Sequence, residues 1–336
     1  MAANGMAEDG MRYLITGGAG FIGSHLARHL VEAGAEVVVL DDFSTGRREN
    51  LAPIEGRYRL VEGTITDLET CRAASDGADV VLHQAALGSV PRSVADPLTT
   101  HAVNATGTLN VLAAAREAGV RRVVYAASSS AYGDTETLPK HEGMVPRPRS
   151  PYAVTKVAGE GYCQAFAAAY GLFTVGLRYF NVFGPRQDPG SQYAAVVPLF
   201  ATAALTGTRP TIYGDGEQSR DFTYIDNVVQ ANLLAASAES ERVAGGIYNV
   251  GAGHRTTINE LWRTIAELAG SGEAPVYAEP RAGDVRHSLA SLERIRDDLG
   301  YAPDVGVQEG LRRTLAWYAA ELEDFAYSVS HDLRAP

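Results

Sequence analysis

The sequence predicts an α/β fold in which a doubly wound parallel sheet carries a smaller, loop-rich C-terminal lobe. Short apolar runs that read as buried strands alternate with helical patterns as far as about residue 180. This alternation is typical of a parallel sheet covered by helices on both faces. A glycine-rich turn follows the first apolar run, and beyond residue 180 prolines and glycines divide the chain into short segments. We therefore expect a lobe packed over the carboxyl ends of the strands, where α/β sheets bind ligands.

The first strand and the first helix are joined by the glycine-rich turn. The apolar run 11–16 leads into Gly17, Gly20 and Gly23, and a helical pattern follows over 26–31. The spacing is G-x-x-G-x-x-G, which provides a tight turn, close approach of the backbone to a pyrophosphate and a helix amino terminus directed at it. A glycine turn without a ligand is the alternative. The combination of strand, turn and helix favours a Rossmann-type dinucleotide-binding domain.

The second strand, 36–40, ends in Asp41. A carboxylate at this position can accept hydrogen bonds from a ribose diol and repels a 2′-phosphate, which favours NAD over NADP. Arg47 and Arg48 follow closely in the sequence and leave NADP open as an alternative.

The later elements continue the alternation of strands and helices. Residues 79–83, 121–126 and 175–178 read as buried strands, and residues 98–118 and 152–170 read as long helices. From this pattern we predict an NAD-binding Rossmann domain at 11–180 with a later contribution from about 223–255, a substrate-binding lobe at 181–222 and 256–318, and a helical tail at 319–336.

The most informative side chains are those of Tyr152 and Lys156. Pro151 suits the first position of a helix, so the two side chains should lie one turn apart on one helix face. A nearby ammonium together with a second cation favours the phenolate, although lowering a tyrosine pKa from ~10 to ~7 requires about 4 kcal/mol. Such a tyrosine can remove a hydroxyl proton while a hydride leaves the same carbon. A solvated helix face is the alternative, and the nucleotide-binding signature upstream argues against it.

Composition excludes several classes of protein. The 336 residues are 46% hydrophobic and carry a net charge of −11, which argues against a nucleic-acid or membrane surface. Cys71 and Cys163 form no disulfide framework and have no metal-ligand spacing. The first ten residues lack a signal pattern and no apolar run approaches membrane-spanning length, so a cytoplasmic location is expected.

From about Arg12 to Tyr318 the chain resembles the extended short-chain dehydrogenases/reductases, and within them the nucleotide-sugar 4-epimerases. The resemblance implies that Ser128 and Tyr152 face the 4-hydroxyl of a sugar and that Lys156 clamps the nicotinamide ribose. It also implies NAD as cofactor. Asn104 resembles the structural asparagine that the family has after the fourth strand. The implied NAD-binding residues are Gly17, Gly20, Phe21, Ile22, Gly23, Asp41, Asp42, Ser44, Thr64, Ile65, Ala85, Asn104, Tyr152, Lys156 and Tyr179.

One position departs from the pattern of this family. The family usually has Gly-Asp-Ile where this chain has Gly63-Thr64-Ile65. The carboxylate that contacts adenine is therefore missing unless Asp67 reaches the same place.

Three motifs of the lobe resemble a site for a nucleoside-diphosphate sugar. In the run 178–186, Asn181 would touch the diphosphate or the sugar, and in 213–222, Arg220 resembles a phosphate ligand beside Tyr213, a candidate neighbour of uracil. In 281–284, Arg281 would bind phosphate and Asp284 would lie near the ribose. Guanidinium groups match the geometry of diphosphate oxygens. A surface charge is the alternative for any one of these arginines.

The expected reaction follows from a residue type that is absent. Dehydratases and decarboxylases of the superfamily carry an acid just before the Tyr-Gly that follows this strand, whereas the chain reads Ser128-Ser129-Ser130-Ala131-Tyr132-Gly133. We therefore expect oxidation and re-reduction at C4, with Tyr152 taking the hydroxyl proton and hydride passing to bound NAD. A redox-sensing protein without catalysis is disfavoured because Tyr152 and Lys156 are both retained.

The preferred substrate is inferred from the pocket for the 2-substituent. Counting without gaps, the family residue that walls this pocket is Ser288, which leaves room for an acetamido group where some members carry tyrosine; a surface hydroxyl is the alternative. We favour UDP-GlcNAc and UDP-GalNAc, with UDP-Glc and UDP-Gal as slower substrates. UDP-glucuronate is the alternative, because Arg186 could meet a carboxylate. The implied substrate-binding residues are Gly88, Ser89, Ser128, Ser130, Tyr152, Asn181, Gln187, Ala195, Tyr213, Arg220, Arg281, Asp284 and Ser288.

The two remaining expectations concern partners. By resemblance, the helices near 98–118 and 152–170 pair with those of a second subunit in a homodimer. The tail 321–336 resembles the phosphoacceptor box of sensor histidine kinases, with His331 at the phosphorylated position. A signalling fragment is therefore the non-enzymatic alternative.

Overall fold

The computed structural model describes residues 10–190, 195–280 and 285–332, with the side chains of 325–332 left out of the description. A seven-stranded sheet, parallel throughout, forms its centre, and the predicted α/β fold is confirmed. The strands are β1 Arg12–Thr16, β2 Glu36–Asp41, β3 Arg59–Glu62, β4 Val80–His83, β5 Arg122–Ser128, β6 Phe173–Tyr179, β7 Val182–Phe183, β8 Thr211–Tyr213, β9 Ser219–Arg220, β10 Thr223–Tyr224, β11 Gly246–Val250, β12 Thr256–Thr257 and β13 Val276–Ala278.

Helices cover both faces of this sheet and build most of the lobe. They are α1 Phe21–Glu32, α2 Leu68–Ser75, α3 Val90–Ala95, α4 Pro97–His101, α5 Gly107–Glu117, α6 Pro151–Tyr170, α7 Val196–Thr206, α8 Ile225–Ser237, α9 Ile258–Ala269, α10 Glu293–Leu299 and α11 Val307–Asp332. A π-helical turn, Ala102–Thr106, joins α4 to α5, so the helix predicted over 98–118 is nearly continuous.

The order of the strands places a crevice at one edge of the sheet. The order is β11-β6-β5-β4-β1-β2-β3, so the chain moves outward from β1 in both directions. Ligands of open α/β sheets bind beyond the carboxyl ends of the strands at such a switch point. The glycine turn after β1 and the carboxyl ends of β4 and β5 therefore meet at one place.

Residues of each strand alternate between two hydrophobic cores. Ile15 and Val39 pack with α1 and α8 on one face, and Leu14 and Val38 pack with α2 and α5 on the other. Successive side chains of a strand point to opposite faces, and a parallel sheet buried on both faces is apolar at every position. Packing on both faces therefore fixes the register of the strands, and with it the residues that lie at their carboxyl ends.

Helix α6 presents the Tyr152–Lys156 pair. It begins at Pro151, as the sequence predicts, and the hydroxyl of Ser150 accepts a hydrogen bond from the amide of Ala153 at 3.2 Å. A proline in the first turn costs no helical hydrogen bond, and a serine N-cap satisfies a free amide. These signals fix where the helix begins and place Tyr152 in its first turn.

The lobe is held together by short strand pairs and by α7, α9 and the first turns of α11. Strand β13 pairs with β8, and β12 pairs with β9. Helix α9 begins with a reciprocal capping box between Thr257 and Glu260. Two isolated bridges, between Lys140 and Ala290 and between Ser219 and His287, connect the segment around 288 to the rest of the protein.

Several surface features bear on the partner predictions. Val90, Val94, Leu98 and Val154 are 42%, 66%, 82% and 51% exposed and lie on α3, α4 and α6.

No helix in the described part of the chain has the length and apolarity required to cross a bilayer. His331 lies in the last turn of α11, where side chains are outside the described set, so its predicted role stays a prediction.

Candidate active site

A cavity of about 1,200 Å³ opens at the carboxyl edge of the sheet. One side is built by strand ends, with Gly17 after β1, Asp41 at the end of β2 and Ser128 at the end of β5. The lobe supplies the opposite side, which includes Arg220 and Ser288. The cavity therefore lies between the sheet and the lobe, as the sequence predicts for a ligand site.

The glycine turn leaves no room for side chains. Gly17 has φ of 69°, and a Cβ there would lie 2.7 Å from the backbone of Ala85. A Cβ on Gly23 would lie 2.1 Å from the carbonyl oxygen of Gly17. Helix α1 begins directly after Gly20, and no described side chain caps it. This close approach of turn and helix terminus fits the pyrophosphate of a dinucleotide.

Asp41 is buried at the end of β2 and orders the loop that follows. Its Oδ2 accepts a hydrogen bond from the amide of Ala19 and its Oδ1 from the amide of Phe43, both at 2.8 Å. Burial raises the pKa of this carboxyl, and the two backbone hydrogen bonds oppose that rise. The carboxylate thus lies against the glycine turn on the cavity wall, where it fits an adenosine ribose diol.

Arg47 and Arg48 do not provide a binding site for the 2′-phosphate of NADP on the described cavity wall. Arg48 forms an ion pair with Glu62 at 2.6 Å, and Arg47 lies within 3.9 Å of Asp188. Neither arginine is on the described wall of the cavity. A binding site for a 2′-phosphate would place a cation there, so the structure favours NAD over NADP.

Tyr152, Ser128 and Lys156 form a connected group inside the cavity. The Ser128 hydroxyl is hydrogen-bonded to the Tyr152 phenol, and Ser130 donates to Ser128 Oγ at 2.9 Å. Lys156 is buried, its Nζ donates to the carbonyl oxygen of Ala126 at 2.7 Å, and it lies 5.9 Å from the centroid of the Tyr152 ring. This arrangement suits a phenol whose charge state is controlled by a nearby ammonium.

Burial shifts the pKa values of Tyr152 and Lys156 away from the charged forms on which the reaction depends. It raises the pKa of Tyr152, and the hydrogen bond from Ser128 opposes the rise. It lowers the pKa of Lys156 to about 8, against the attraction of Glu160. Formation of the phenolate therefore requires more positive charge than these residues supply, and the oxidised nicotinamide of bound NAD would supply such a charge.

Glu160 and Arg178 form a buried ion pair one turn beyond Lys156. Both side chains are at most 5% exposed, and the guanidinium donates to the carboxylate at 2.8 and 2.7 Å. The Arg178 guanidinium also lies 4.6 Å from the centroid of the Tyr132 ring. Because breaking such a pair leaves an uncompensated buried charge, it rigidly connects α6, β6 and the segment after β5.

Most of the predicted NAD-binding residues lie on the cavity wall. They are Gly17, Gly20, Phe21, Ile22, Gly23, Asp41, Asp42, Ser44, Ile65, Ala85, Tyr152, Lys156 and Tyr179. The phenol of Tyr179 is hydrogen-bonded to Gln84 and Asn232 at 3.2 and 3.1 Å, so its ring rather than its hydroxyl is available to a ligand.

Some of the predicted substrate-binding residues lie on the cavity wall, and others do not. Those on the wall are Gly88, Ser128, Ser130, Tyr152, Asn181, Gln187, Ala195, Arg220 and Ser288. Arg281 and Asp284 lie outside the described residues, so their predicted roles stay predictions.

Four predicted residues are not on the described wall. Asn104 lies behind it, with its Oδ1 accepting from the amide of Leu87 at 2.8 Å. Ser89 caps α3 by accepting from the amide of Arg92. Thr64 is hydrogen-bonded to Thr66, and Tyr213 is 37% exposed on β8. Two of these residues thus orient the wall, because the backbone groups that they hold belong to wall residues.

Two further predicted side chains are not on the described wall of the cavity. Asp67 accepts from the amide of Thr70 as the N-cap of α2, and its predicted reach to adenine stays a prediction. The Arg186 guanidinium donates to the carbonyl oxygens of Ser24 and Asn50, both at 3.2 Å, away from the described wall. It is therefore not placed to meet a carboxylate on the sugar.

Lys140 and Arg149 also line the cavity, and neither was predicted from the sequence. Lys140 is 2% exposed, and nothing in its local sequence distinguishes it from a surface lysine. Its burial arises from long-range pairing with Leu289 and Ser291. Only the folded chain could reveal it.

Known proteins resemble this chain over most of its length. A model of the NAD-dependent epimerase/dehydratase family matches residues 13–251. The chain belongs to this family. NAD is therefore its cofactor, and it is an enzyme of the nucleotide-sugar epimerase type.

Individual members of the family match over nearly their whole lengths. The UDP-glucose 4-epimerase of Mycolicibacterium smegmatis is 41% identical over 92% of this chain and 98% of its own. A UDP-N-acetylglucosamine 4-epimerase from Methanobrevibacter ruminantium, solved with UDP-N-acetylmuramic acid, matches with a TM-score of 0.89 at 38% identity over 94% of this chain and all of its own. The Thermus thermophilus UDP-glucose 4-epimerase in complex with NAD matches with a TM-score of 0.83 at 40% identity over 92% and 99%.

Proposed function

We propose that the protein is a 4-epimerase that interconverts UDP-N-acetylglucosamine and UDP-N-acetylgalactosamine, with UDP-glucose and UDP-galactose as slower substrates. The observation that carries this proposal is the position of Ser288, a small residue that is 6% exposed and lines the cavity. Its amide donates to the carbonyl oxygen of Ser219 at 3.0 Å. Because the backbone is fixed there, the room left by a small side chain is available to an acetamido group.

The reaction requires a base at the 4-hydroxyl of the sugar. When bound, NAD supplies the acceptor and then the donor of the C4 hydride. Tyr152 removes the hydroxyl proton, directly or through Ser128, and returns a proton once the 4-keto sugar has turned about its phosphate linkage. The end of β5 contributes Ser128, Ser129 and Ser130 to the wall, so no carboxylate in this segment can remove a C5 proton or support loss of CO₂.

Binding of the nucleotide would come from the lobe. Arg220 lines the cavity with its Nη1 held by the carbonyl oxygens of Ser219 and Arg286 at 3.0 and 3.2 Å. A guanidinium oriented in this way suits phosphate oxygens. The net charge of −11 would otherwise repel a diphosphate, so such local cations are needed.

The experiment that tests the proposal compares three substrates. Purified protein, without added NAD, is incubated with UDP-GlcNAc, UDP-Glc and UDP-glucuronate, and the epimers are resolved by chromatography. We expect UDP-GlcNAc to be converted fastest. Ser288→Tyr should slow UDP-GlcNAc by roughly fivefold to 150-fold, because overfilling a packed pocket costs ~1–3 kcal/mol. UDP-Glc, which lacks the acetamido group, is the internal control and should be affected much less.

Each other outcome has a definite meaning. Faster conversion of UDP-Glc or UDP-glucuronate by the wild-type protein contradicts the acetamido preference and leaves a 4-epimerase. An equal loss of both activities in Ser288→Tyr contradicts the role of Ser288. No conversion of any substrate after NAD is supplied contradicts the epimerase proposal itself.

We also propose that the protein forms a homodimer through α3, α4 and α6. Leu98 and Val94 are the most exposed large apolar residues of that surface, and they share it with Val90 and Val154. Val90 and Val94 also line the cavity, and the helices that carry the four side chains are in mutual contact. Exposed apolar side chains grouped on neighbouring helices favour a protein partner. Sedimentation velocity tests this proposal, which predicts a dimer, whereas a monomer at micromolar concentration contradicts it.

A further inference from the structure

Asp221 is a fully buried carboxyl group that follows β9, next to Arg220 on the cavity wall. Its Oδ1 accepts a hydrogen bond from the amide of Ala252 at 2.7 Å, and its Oδ2 accepts from the amides of Gly253 and Ala290, both at 3.1 Å. Burial raises the pKa of Asp221 to about 6, and these three hydrogen bonds oppose the rise. At neutral pH the group is therefore a carboxylate that backbone amides stabilise.

The carboxylate joins two segments that are distant in the sequence. Gly253 lies in the loop after β11, and Ala290 lies just beyond Ser288 on the wall. The packing between them is close, because a Cβ on Gly251 would lie 2.7 Å from the Cβ of Ala290 and 2.8 Å from Oδ2 of Asp221. Without the carboxylate the amides would be buried and lack an acceptor, which is costly.

Ser288 is held on both sides by the segment that contains Asp221. On one side its amide donates to the carbonyl oxygen of Ser219 at 3.0 Å, and the hydroxyl of Ser219 is hydrogen-bonded to Nδ1 of His287 at 2.8 Å. On the other side the amide of Ala290 is fixed by the carboxylate of Asp221. The position of Ser288 in the cavity therefore depends on a group that does not itself line the described wall.

The backbone of Arg220 is fixed separately. Strand β9 pairs with β12, with Arg220 opposite Thr256, and this pairing does not involve the carboxylate of Asp221. Loss of that carboxylate should therefore displace the segment around Ser288 more than it displaces Arg220. The sugar side of the proposed site and its phosphate side can thus be perturbed independently.

We propose that Asp221 is a positioning residue that fixes Ser288 in the pocket for the 2-substituent, and that it thereby sets the preference for acetylated sugars. The proposal rests on the function given above, because that function places the acetamido group beside Ser288. Asp221 acts only through the backbone of residues 288–290. A binding wall keeps its precise geometry when residues behind it are themselves fixed by hydrogen bonds.

Steady-state kinetics of Asp221→Asn on the NAD-containing full chain test the proposal. Asparagine keeps the shape but replaces one oxygen by an NH₂ group, which cannot accept from an amide. We expect the KM for UDP-GlcNAc to rise about tenfold, as leaving one buried amide unsatisfied does. The KM for UDP-Glc should change much less, and kcat should stay near the wild-type value because Tyr152 and Lys156 lie on α6, outside this network.

Asp226→Asn is the matched control. Asp226 lies in the first turn of α8, is 50% exposed and pairs with Arg313 at 3.1 Å. This variant should leave both KM values and kcat unchanged. Hydrogen exchange of residues 286–291, which requires no turnover, should be faster in Asp221→Asn than in the wild type and unaltered in Asp226→Asn.

Several outcomes would overturn the proposal. A lower kcat with unchanged KM values would mean that Asp221 only maintains the folded fraction, and an equal rise of both KM values would assign it to the shared nucleotide. Unaltered exchange of residues 286–291 would show that the carboxylate does not hold them. If Asp221→Asn does not fold, exchange in the wild type decides, since a fast-exchanging Ala290 amide contradicts the proposal and one as slow as those of β11 supports it. A wild-type protein that prefers UDP-Glc would contradict the proposed function, which is a separate result.

Discussion

Replacement of Tyr152 by phenylalanine should lower turnover about a thousandfold, because general acid–base catalysis contributes about 10²–10⁴ in rate. The variant loses only the phenolic oxygen, which is hydrogen-bonded to Ser128, and keeps the ring on the cavity wall. NAD and UDP should therefore remain bound with wild-type affinity. Initial rates of epimerisation and the bound NAD content of the purified variant measure the two effects.

Tyr170→Phe is the matched control, because this tyrosine lies on the same helix but is 54% exposed at its far end. Its activity should equal that of the wild type. Burial raises the pKa of Tyr152, so the wild-type rate should rise with pH until the phenolate predominates. Unchanged turnover in Tyr152→Phe would contradict the mechanism, even if the substrate assignment held.

Replacement of Gly23 by alanine should remove most NAD binding. The added Cβ would lie 2.1 Å from the carbonyl oxygen of Gly17 and 2.8 Å from Gly18, and both neighbours are backbone that cannot rotate away. Overpacking costs ~1–3 kcal/mol, so NAD affinity should fall roughly tenfold to a hundredfold. The bound NAD released on denaturation of the variant measures the loss.

Gly272→Ala provides the control for the Gly23 variant. Gly272 lies in a loop with nothing within 4 Å of an added Cβ, so this change should leave NAD content and activity unaltered. A Gly23→Ala protein with full NAD content would show that the turn relaxes easily. The inference that the glycine turn fits closely against a pyrophosphate would then be wrong.

The sequence predicted best those features that depend on neighbouring residues. The glycine turn, the acid at the end of β2 and the serine–proline start of α6 each depend on a few consecutive residues, and the structure has all three in the expected places. Turn geometry, strand ends and helix caps are local, so their signals survive in the sequence alone.

Features that depend on long-range packing were predicted less well. Asn104, which is predicted both among the NAD-binding residues and as a structural asparagine, holds the backbone of Leu87 on the wall with its amide. Lys140 was not identified, because its burial depends on a bridge to Ala290, 150 residues further along the chain. Family motifs identify the neighbourhood of a site, whereas which side chain faces the ligand is decided by packing.

The proposed reaction changes the configuration at C4 by removing and returning a hydride. Incubation of UDP-GlcNAc with the purified protein in D₂O, followed by mass spectrometry of the separated epimers, tests whether the hydrogen on C4 is retained. A hydride carried by tightly bound NAD does not exchange with solvent, so we expect UDP-GalNAc without carbon-bound deuterium and with unchanged mass. Deuterium on the sugar ring, or a product that has lost water or CO₂, would contradict it.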